Sequence, residues 1–325
     1  MPTLTDAYAR LQPGRTIHGI AAALLPFRAD GSLAEEEYVR HLQATHAAGL
    51  VNAVNMDTGY ANLISDPERE RVLEWTRAAL PAGTLFVAGA FIEGRAGEIA
   101  DLYRTQMDLV ESYGGTPILF QTSRVHGWPP AEKAGLYREL CRGRQAVLAF
   151  ELGRMFAPNG EIWDEETFRR MLAIPELVGA KHSSLSKRTE LRRLEIRDRE
   201  RPEFRVYTGN DLGIDMVEYG SDYLLGLATF CPEAFALRDR WWAQQDAAYL
   251  ELAEALQFLG NVAFRPPVPA YKHSAAYFLQ MQGRLSSART HPGSPERPAW
   301  EPELLQACLE RLVQAAPEAF PGLAA

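Results

Sequence analysis

Lysine is scarce in this sequence, and one lysine stands where an amine can do chemistry. Only four of the 34 basic residues are lysines, namely Lys133, Lys181, Lys187 and Lys272; all the others are arginine. A guanidinium keeps its proton and cannot form an imine, so a chain rich in arginine retains lysine where a free amine is required. Lys181 closes the apolar run Leu177-Val178-Gly179-Ala180 and precedes His182-Ser183-Ser184. At the mouth of a barrel, desolvation lowers an amine's pKa and frees it as a nucleophile. The competing reading is a lysine paired with Glu151 or Asp211 as structural support.

The elements that must position Lys181 alternate from end to end. Short apolar runs rich in β-formers predict strands over 17–24, 49–55, 84–89, 116–120, 145–150, 176–181, 204–208 and 223–227. Amphipathic stretches between them predict helices. One starts from a capping box at Ser32 and Glu35 and runs to His46; another opens at Ser65-Asp66-Pro67-Glu68. Others cover 96–112, 131–141 and 164–172, and the charge-dense stretch 188–201 reads as a solvated helix and loop. Beyond Pro232 only helices are expected, over 233–259, 271–282 and 301–315. Eight strand–helix units followed by helices predict an α/β fold, a (β/α)8 TIM barrel over 1–232 with a C-terminal helical extension over 233–325. No glycine-rich phosphate fingerprint follows any strand, so neither a dinucleotide fold nor a P-loop is expected. His18, on the first strand, reads as a core histidine.

Barrel chemistry is carried at the carboxyl ends of the strands. Taken in order, those positions are Leu25-Pro26-Phe27, Asp57-Thr58-Gly59-Tyr60, Glu93, Gln121-Thr122-Ser123, Phe150-Glu151, Lys181-His182 and Gly209-Asn210-Asp211. Asp57, Glu93, Glu151, His182 and Asp211 could also be read as hard ligands for a divalent cation in a sugar isomerase, with Lys181 as a charge partner. Ordinary hydrogen bonding at the barrel mouth is the plainer account of those acids.

Several of these segments, in register from Leu25 to Lys272, resemble the N-acetylneuraminate lyase and dihydrodipicolinate synthase family of imine-forming aldolases. Leu25-Pro26-Phe27 with Asp30-Gly31-Ser32 is similar to its Thr-Pro-Phe and Asp-Gly opening. Asn55 to Tyr60, then Leu63-Ile64-Ser65 and Glu68-Arg69, resemble its Gly-Thr-Thr-Gly-Glu and Leu-Ser-x-x-Glu-Arg stretch. Gly179-Ala180-Lys181 lies where the family carries Gly-Ile-Lys and its Schiff-base lysine. Thr208-Gly209-Asn210-Asp211 resembles the Gly-x-Asp turn, Gly220 to Gly226 the Gly-Gly-x-Gly-x-Ile-Ser segment, and Pro267 to Lys272 the Pro-x-Lys element. The resemblance implies a TIM-barrel lyase or aldolase without a cofactor. In it Lys181 forms an imine with a 2-oxo acid, ketone or sugar-derived substrate for C–C cleavage, condensation or dehydration.

Departures fall on the substrate-facing positions. The family's proton-relaying tyrosine at the end of strand five is Phe150, which has no hydroxyl. Its first strand-two threonine is Asp57, its second is Thr58, and its glutamate is Tyr60. An anionic Asp57 opposes a substrate carboxylate; two like charges at about 4 Å and an effective dielectric near 20 cost roughly 4 kcal/mol. The expected catalytic set is Lys181, Thr58 and Glu151, with Glu151 as candidate for the displaced acid/base. Asp57, Gly59, Phe150, Gly209, Asn210 and Leu225 are expected to line the substrate pocket, and no metal site is expected. A sugar-binding barrel without catalysis is a further reading, given Phe150.

Composition bounds the remainder. With 325 residues, 46% hydrophobic and 23% charged, the chain is globular, and its net charge of −8 argues against a nucleic-acid partner. No apolar run is long enough for a membrane span, and Met1-Pro2-Thr3-Leu4-Thr5-Asp6 carries no leader pattern. Cys141, Cys231 and Cys308 are odd in number and widely spaced, which suits a reducing compartment. A cytoplasmic homo-oligomer, dimer or tetramer, acting on a small molecule is the expectation.

Overall fold

The computed structural model describes residues 3–323; Met1 and Pro2, which open the stretch read for a leader, lie outside the described residues, as do Ala324 and Ala325. Eight parallel strands are joined in chain order into a closed barrel. They are β1 (Gly19–Ala22), β2 (Val51–Val54), β3 (Phe86–Ala90), β4 (Thr116–Leu119), β5 (Val147–Leu152), β6 (Leu177–Ser183), β7 (Arg205–Thr208) and β8 (Asp222–Leu225). The expected (β/α)8 barrel is therefore the fold. A short α1 (Leu4–Tyr8) precedes β1. Six helices connect the first seven strands: α2 (Glu35–Ala48), α3 (Asp66–Ala79), α4 (Ile99–Ser112), α5 (Pro130–Cys141), α6 (Glu165–Leu172) and α7 (Lys187–Glu200). After β8 come α8 (Pro232–Gln244), α9 (Tyr249–Ala263), α10 (Tyr271–Met281) and α11 (Glu301–Ala315). None of the described helices is long and apolar enough to cross a membrane.

By compactness the chain divides into two units. One takes the N-terminal residues to Gln12, Leu85–Asn210 and Met216–Tyr223; the other takes Pro13–Thr84, Asp211–Asp215 and the chain from Leu224 on. In the first unit, Met107, Tyr137, Phe168, Leu194 and Phe204 belong to one buried cluster between strands and helices. In the second, β1 pairs with β2, and α11 packs against α9 and α10, burying Leu252, Leu256, Ala275, Leu305 and Leu312.

Three local expectations are corrected. Ser32 does not cap α2: its amide and hydroxyl both donate to Asp30 Oδ1, at 2.9 and 2.7 Å, and Ala34 holds the cap position. A short acidic side chain two residues away has outcompeted the helix for the serine. The box at Ser65 and Glu68 does form, with Pro67 in the first turn. The helix expected over 233–259 is two, because Gln245 enters the left-handed region (φ 58°) and caps α8. His18 is exposed, just ahead of β1 rather than in the core.

Candidate active site

Lys181 lies near the carboxyl end of β6, 7% exposed. Gly179 lets β6 approach β7: a Cβ there would stand 2.8 Å from the Arg205 carbonyl and 2.9 Å from the Tyr207 ring. In the parallel pairing of β5 with β6, Phe150 is opposite Lys181, and Glu151 is opposite His182. Neighbours on a strand point to opposite faces, so Phe150 and Lys181 share one face while Glu151 and His182 share the other. The Lys181 ammonium accordingly sits 4.4 Å from the centroid of the Phe150 ring, and Phe120 meets that ring edge-on at 5.1 Å. Gly209, just beyond β7, makes room for the lysine stem; a Cβ there would lie 2.6 Å from Lys181 Cε and 2.1 Å from Ser183 Oγ. Its amide donates to the His182 carbonyl at 2.8 Å, and the buried Asn210 follows with its amide donating to Thr208 Oγ1 at 3.3 Å.

Glu151 is fully buried and completely engaged. It accepts from Arg193 through Nη2 at 2.9 Å and Nε at 3.2 Å, from the Trp163 amide at 3.0 Å, and is 2.8 Å from His182 Nδ1. Burial pushes its carboxyl up, but the Arg193 guanidinium and then His182 outweigh that and hold it at about 2. A carboxylate accepts only, so Nδ1 of His182 carries the hydrogen. Its Nε2 lies 2.7 Å from Ser184 Oγ. Expected as a proton carrier, Glu151 instead turns away from Lys181, ionised and with its lone pairs taken. It ties β5 and β6 to α7.

In the second unit the loop after β2 gathers a different set. Asp57, Thr58 and Gly59 form a single 3-10 turn, flanked by Asn55 and Tyr60 in left-handed conformations (φ 51° and 59°). A Cβ on Gly59 would lie 3.4 Å from the Ala23 carbonyl. Thr58, buried, places Oγ1 2.8 Å from the hydroxyl of Tyr271. That hydroxyl donates to Asp57 Oδ2 at 2.9 Å, and the Lys272 ammonium donates to the same oxygen at 3.2 Å. Tyr271 and Lys272 open α10. The Tyr271 ring stacks on Phe264 at 4.3 Å, and Lys272 lies 5.0 Å from the Tyr271 centroid and 5.8 Å from that of Tyr60. Gly226, following the buried Leu225, admits this arrangement; a Cβ there would be 3.1 Å from the Tyr271 ring and 3.3 Å from Thr58 Oγ1. Burial, and then the Asp57 charge, keep the Tyr271 hydroxyl protonated far above neutral pH.

Tyr271 and Lys272 are absent from the residues expected in the pocket; the sequence offers them only as the end of the stretch that resembles the Pro-x-Lys element and as the start of the helix expected over 271–282. The adjacency of the two at a helix start, after Pro267 and Pro269, is the signal that was there. The acids read as hard ligands do not assemble. Among the described residues, no three His, Cys, Asp or Glu side chains group as metal donors. Glu93 instead accepts from Thr122 Oγ1 at 2.6 Å and from the Ser123 amide at 2.9 Å, and Asp211 from the Leu227 amide at 2.8 Å.

The fold is that of dihydrodipicolinate synthase structures. It superposes on a monomeric dihydrodipicolinate synthase variant with a TM-score of 0.78 and 17% identity, covering 93% of this chain and 98% of that one. For dihydrodipicolinate synthase from Thermotoga maritima the values are 0.77 and 16%, with 92% and 99% covered. For YagE, a prophage protein of the dihydrodipicolinic acid synthase family from E. coli K12 solved with pyruvate, they are 0.79 and 14%, with 91% and 98% covered. No curated protein sequence matches. By sequence the chain belongs to the family DUF993, described as a protein of unknown function, whose model matches residues 48–294.

Proposed function

We propose that this protein is a lysine-dependent lyase or aldolase in which Lys181 forms an imine with a 2-oxo acid or a sugar-derived ketone. The observation that carries this reading is the setting of Lys181. It is a nearly buried amine near the end of a barrel strand, facing an aromatic ring, with Gly209 clearing its stem. An unprotonated amine attacks the carbonyl carbon, and the protonated imine so formed draws electrons from the neighbouring carbon. The fold shared with dihydrodipicolinate synthase structures, and the resemblance of Gly179-Ala180-Lys181 to the family's Gly-Ile-Lys motif, support the same assignment. No organic cofactor is required by this chemistry.

Borohydride reduction in the presence of pyruvate or dihydroxyacetone tests it. The expected product carries the reduced adduct on the peptide containing Lys181, and Lys181→Arg, which keeps the charge but not the free amine, gives none. Lys133, bonded to Glu161 at 2.5 Å, and the exposed Lys187 serve as internal controls. Label on either control, or unchanged label in Lys181→Arg, sinks the assignment.

A further inference from the structure

Side chains two apart on a strand share a face, so Ser183 stands on the face of Lys181, one step nearer the carboxyl end of β6. Its hydroxyl and the lysine stem both meet Gly209, just beyond β7. A Cβ on that glycine would lie 2.1 Å from Ser183 Oγ, 2.6 Å from Lys181 Cε and 3.0 Å from Lys181 Cγ, so hydroxyl and stem crowd one point. Ser183 is 1% exposed, and its Oγ has no hydrogen-bond partner among the described residues. A buried hydroxyl left unpaired destabilises a fold, and a group kept at that cost calls for a ligand or a reaction that uses it. Phe150 and Gly209, the other neighbours of Lys181 described above, carry no hydroxyl. Tyr207, opposite Lys181 in the pairing of β6 with β7, lays its ring against Gly179, toward the amino end of the strand.

We propose that Ser183 is a catalytic residue, carrying the proton from nitrogen to oxygen when Lys181 adds to a carbonyl. The proposal rests on the imine reading of Lys181. The Phe150 ring stands on the β5 side of the amine at 4.4 Å, and the Ser183 hydroxyl meets Gly209 on the β7 side. A substrate held over Nζ therefore lays its carbon skeleton along the ring and turns its carbonyl oxygen toward Oγ. As the lone pair of the amine bonds to the carbonyl carbon, the π pair moves to oxygen, leaving an alkoxide and an ammonium nitrogen. The Ser183 proton passes to the alkoxide, and one N–H proton of the ammonium passes to Oγ. The carbinolamine is then neutral, Ser183 is restored and no other reactant is consumed. The nitrogen lone pair next expels the hydroxyl as hydroxide, which solvent protonates, and the protonated imine remains.

The experiment follows the rate at which adduct accumulates on Lys181 of the full chain, with pyruvate and dihydroxyacetone as probes. Excess cyanoborohydride, which spares the free carbonyl, makes imine formation set the pace. In Ser183→Ala the rate is expected to fall about a hundredfold, as on removal of one donor from a developing oxyanion. The melting temperature should equal or exceed that of the wild type, because the hydroxyl removed has no partner to lose. Ser183→Thr, which restores a hydroxyl, should recover most of the rate. A rate within threefold of wild type in Ser183→Ala overturns the assignment while leaving the imine intact. A slower rate that comes with a lowered melting temperature marks a structural role and also overturns it, as does a loss that Ser183→Thr fails to relieve. Absence of any wild-type adduct overturns the imine reading, and the role of Ser183 with it.

Discussion

Two lysines of this chain are buried to similar degrees and set in different surroundings. Lys272 is neutralised by a carboxylate, Asp57, and its surroundings are hydroxyls and ring faces. Lys181 is set against the Phe150 ring, and the acid next in sequence, Glu151, is drawn to the other face of the strand by Arg193 and His182. The acids differ in the same way. Glu151 is bound on every side and serves the frame, whereas Asp57 accepts from a tyrosine and a lysine that both lie in one helical turn. Strand alternation decides the first case, because a one-residue step moves a side chain to the opposite face. A helix start brought against a loop decides the second. The difference separates a charge cluster that ties two strands to a helix from one that ties the loop after β2 to the start of α10.

The sharpest way to break this contrast is to remove the counter-charge of the structural acid. Arg193→Leu leaves a buried, ionised Glu151 facing only His182 and an amide, and loss of about 3–5 kcal/mol of stability is expected. The double variant Arg193→Leu, Glu151→Leu should recover part of it in urea unfolding. Equal stability of the single and double variants would mean that the network does not hold the frame. Acid gives the same answer without mutation. Glu151 is held at about 2 in the fold against an ordinary value of 4.5, so its contribution is complete above pH 4.5. It is lost as the pH falls from there through 2, about 3 kcal/mol in all. A wild-type stability that stays flat over that window counts against the ion pair.

Much of the frame was legible in the sequence, since apolar runs of strand length and amphipathic helices repeat with barrel spacing. Lys181 was legible for the same reason: it ends such a run. What failed was local competition and long-range assembly. Asp30 takes Ser32 from its helix, and Gln245 breaks a helix with no glycine or proline to announce it. The pairing of Asp57 with Tyr271 joins residues 214 positions apart, which no periodicity encodes. Glu151 was placed at the right strand end but on the wrong face for a proton carrier, because its partner Arg193 lies on a helix read only as solvated charge.

A smaller intervention sharpens the Lys181 side. Gly209→Ala places a methyl 2.6 Å from Lys181 Cε and 2.1 Å from Ser183 Oγ. Both neighbours are side-chain atoms, so the fold can yield where backbone could not. A shift of the amine of several tenths of an ångström follows. Misplacement on that scale costs turnover far more than stability. Adduct formation on Lys181 is expected to slow by about tenfold or more, with thermal unfolding displaced by only a few degrees. A variant that traps substrate at the wild-type rate would show that the amine is not confined as the geometry implies.

The smallest effect is expected where a hydroxyl is added rather than removed. Phe150→Tyr puts a phenol at the end of β5, on the same strand face as Lys181 and beside the Phe120 ring. If proton transfer depended on a hydroxyl at this position, the variant should gain a large factor in exchange of the substrate's α-protons. Thr58, the expected catalytic hydroxyl, already has a phenolic partner in Tyr271 at 2.8 Å, so a second phenol is not expected to add a transfer. It also carries the cost of burying a polar group among aromatic rings, of order 1–3 kcal/mol when it finds no partner. A change in exchange rate of less than about threefold, with a modest fall in stability, is the expected outcome. A gain of tenfold or more in Phe150→Tyr would assign a proton-carrying role to the end of β5.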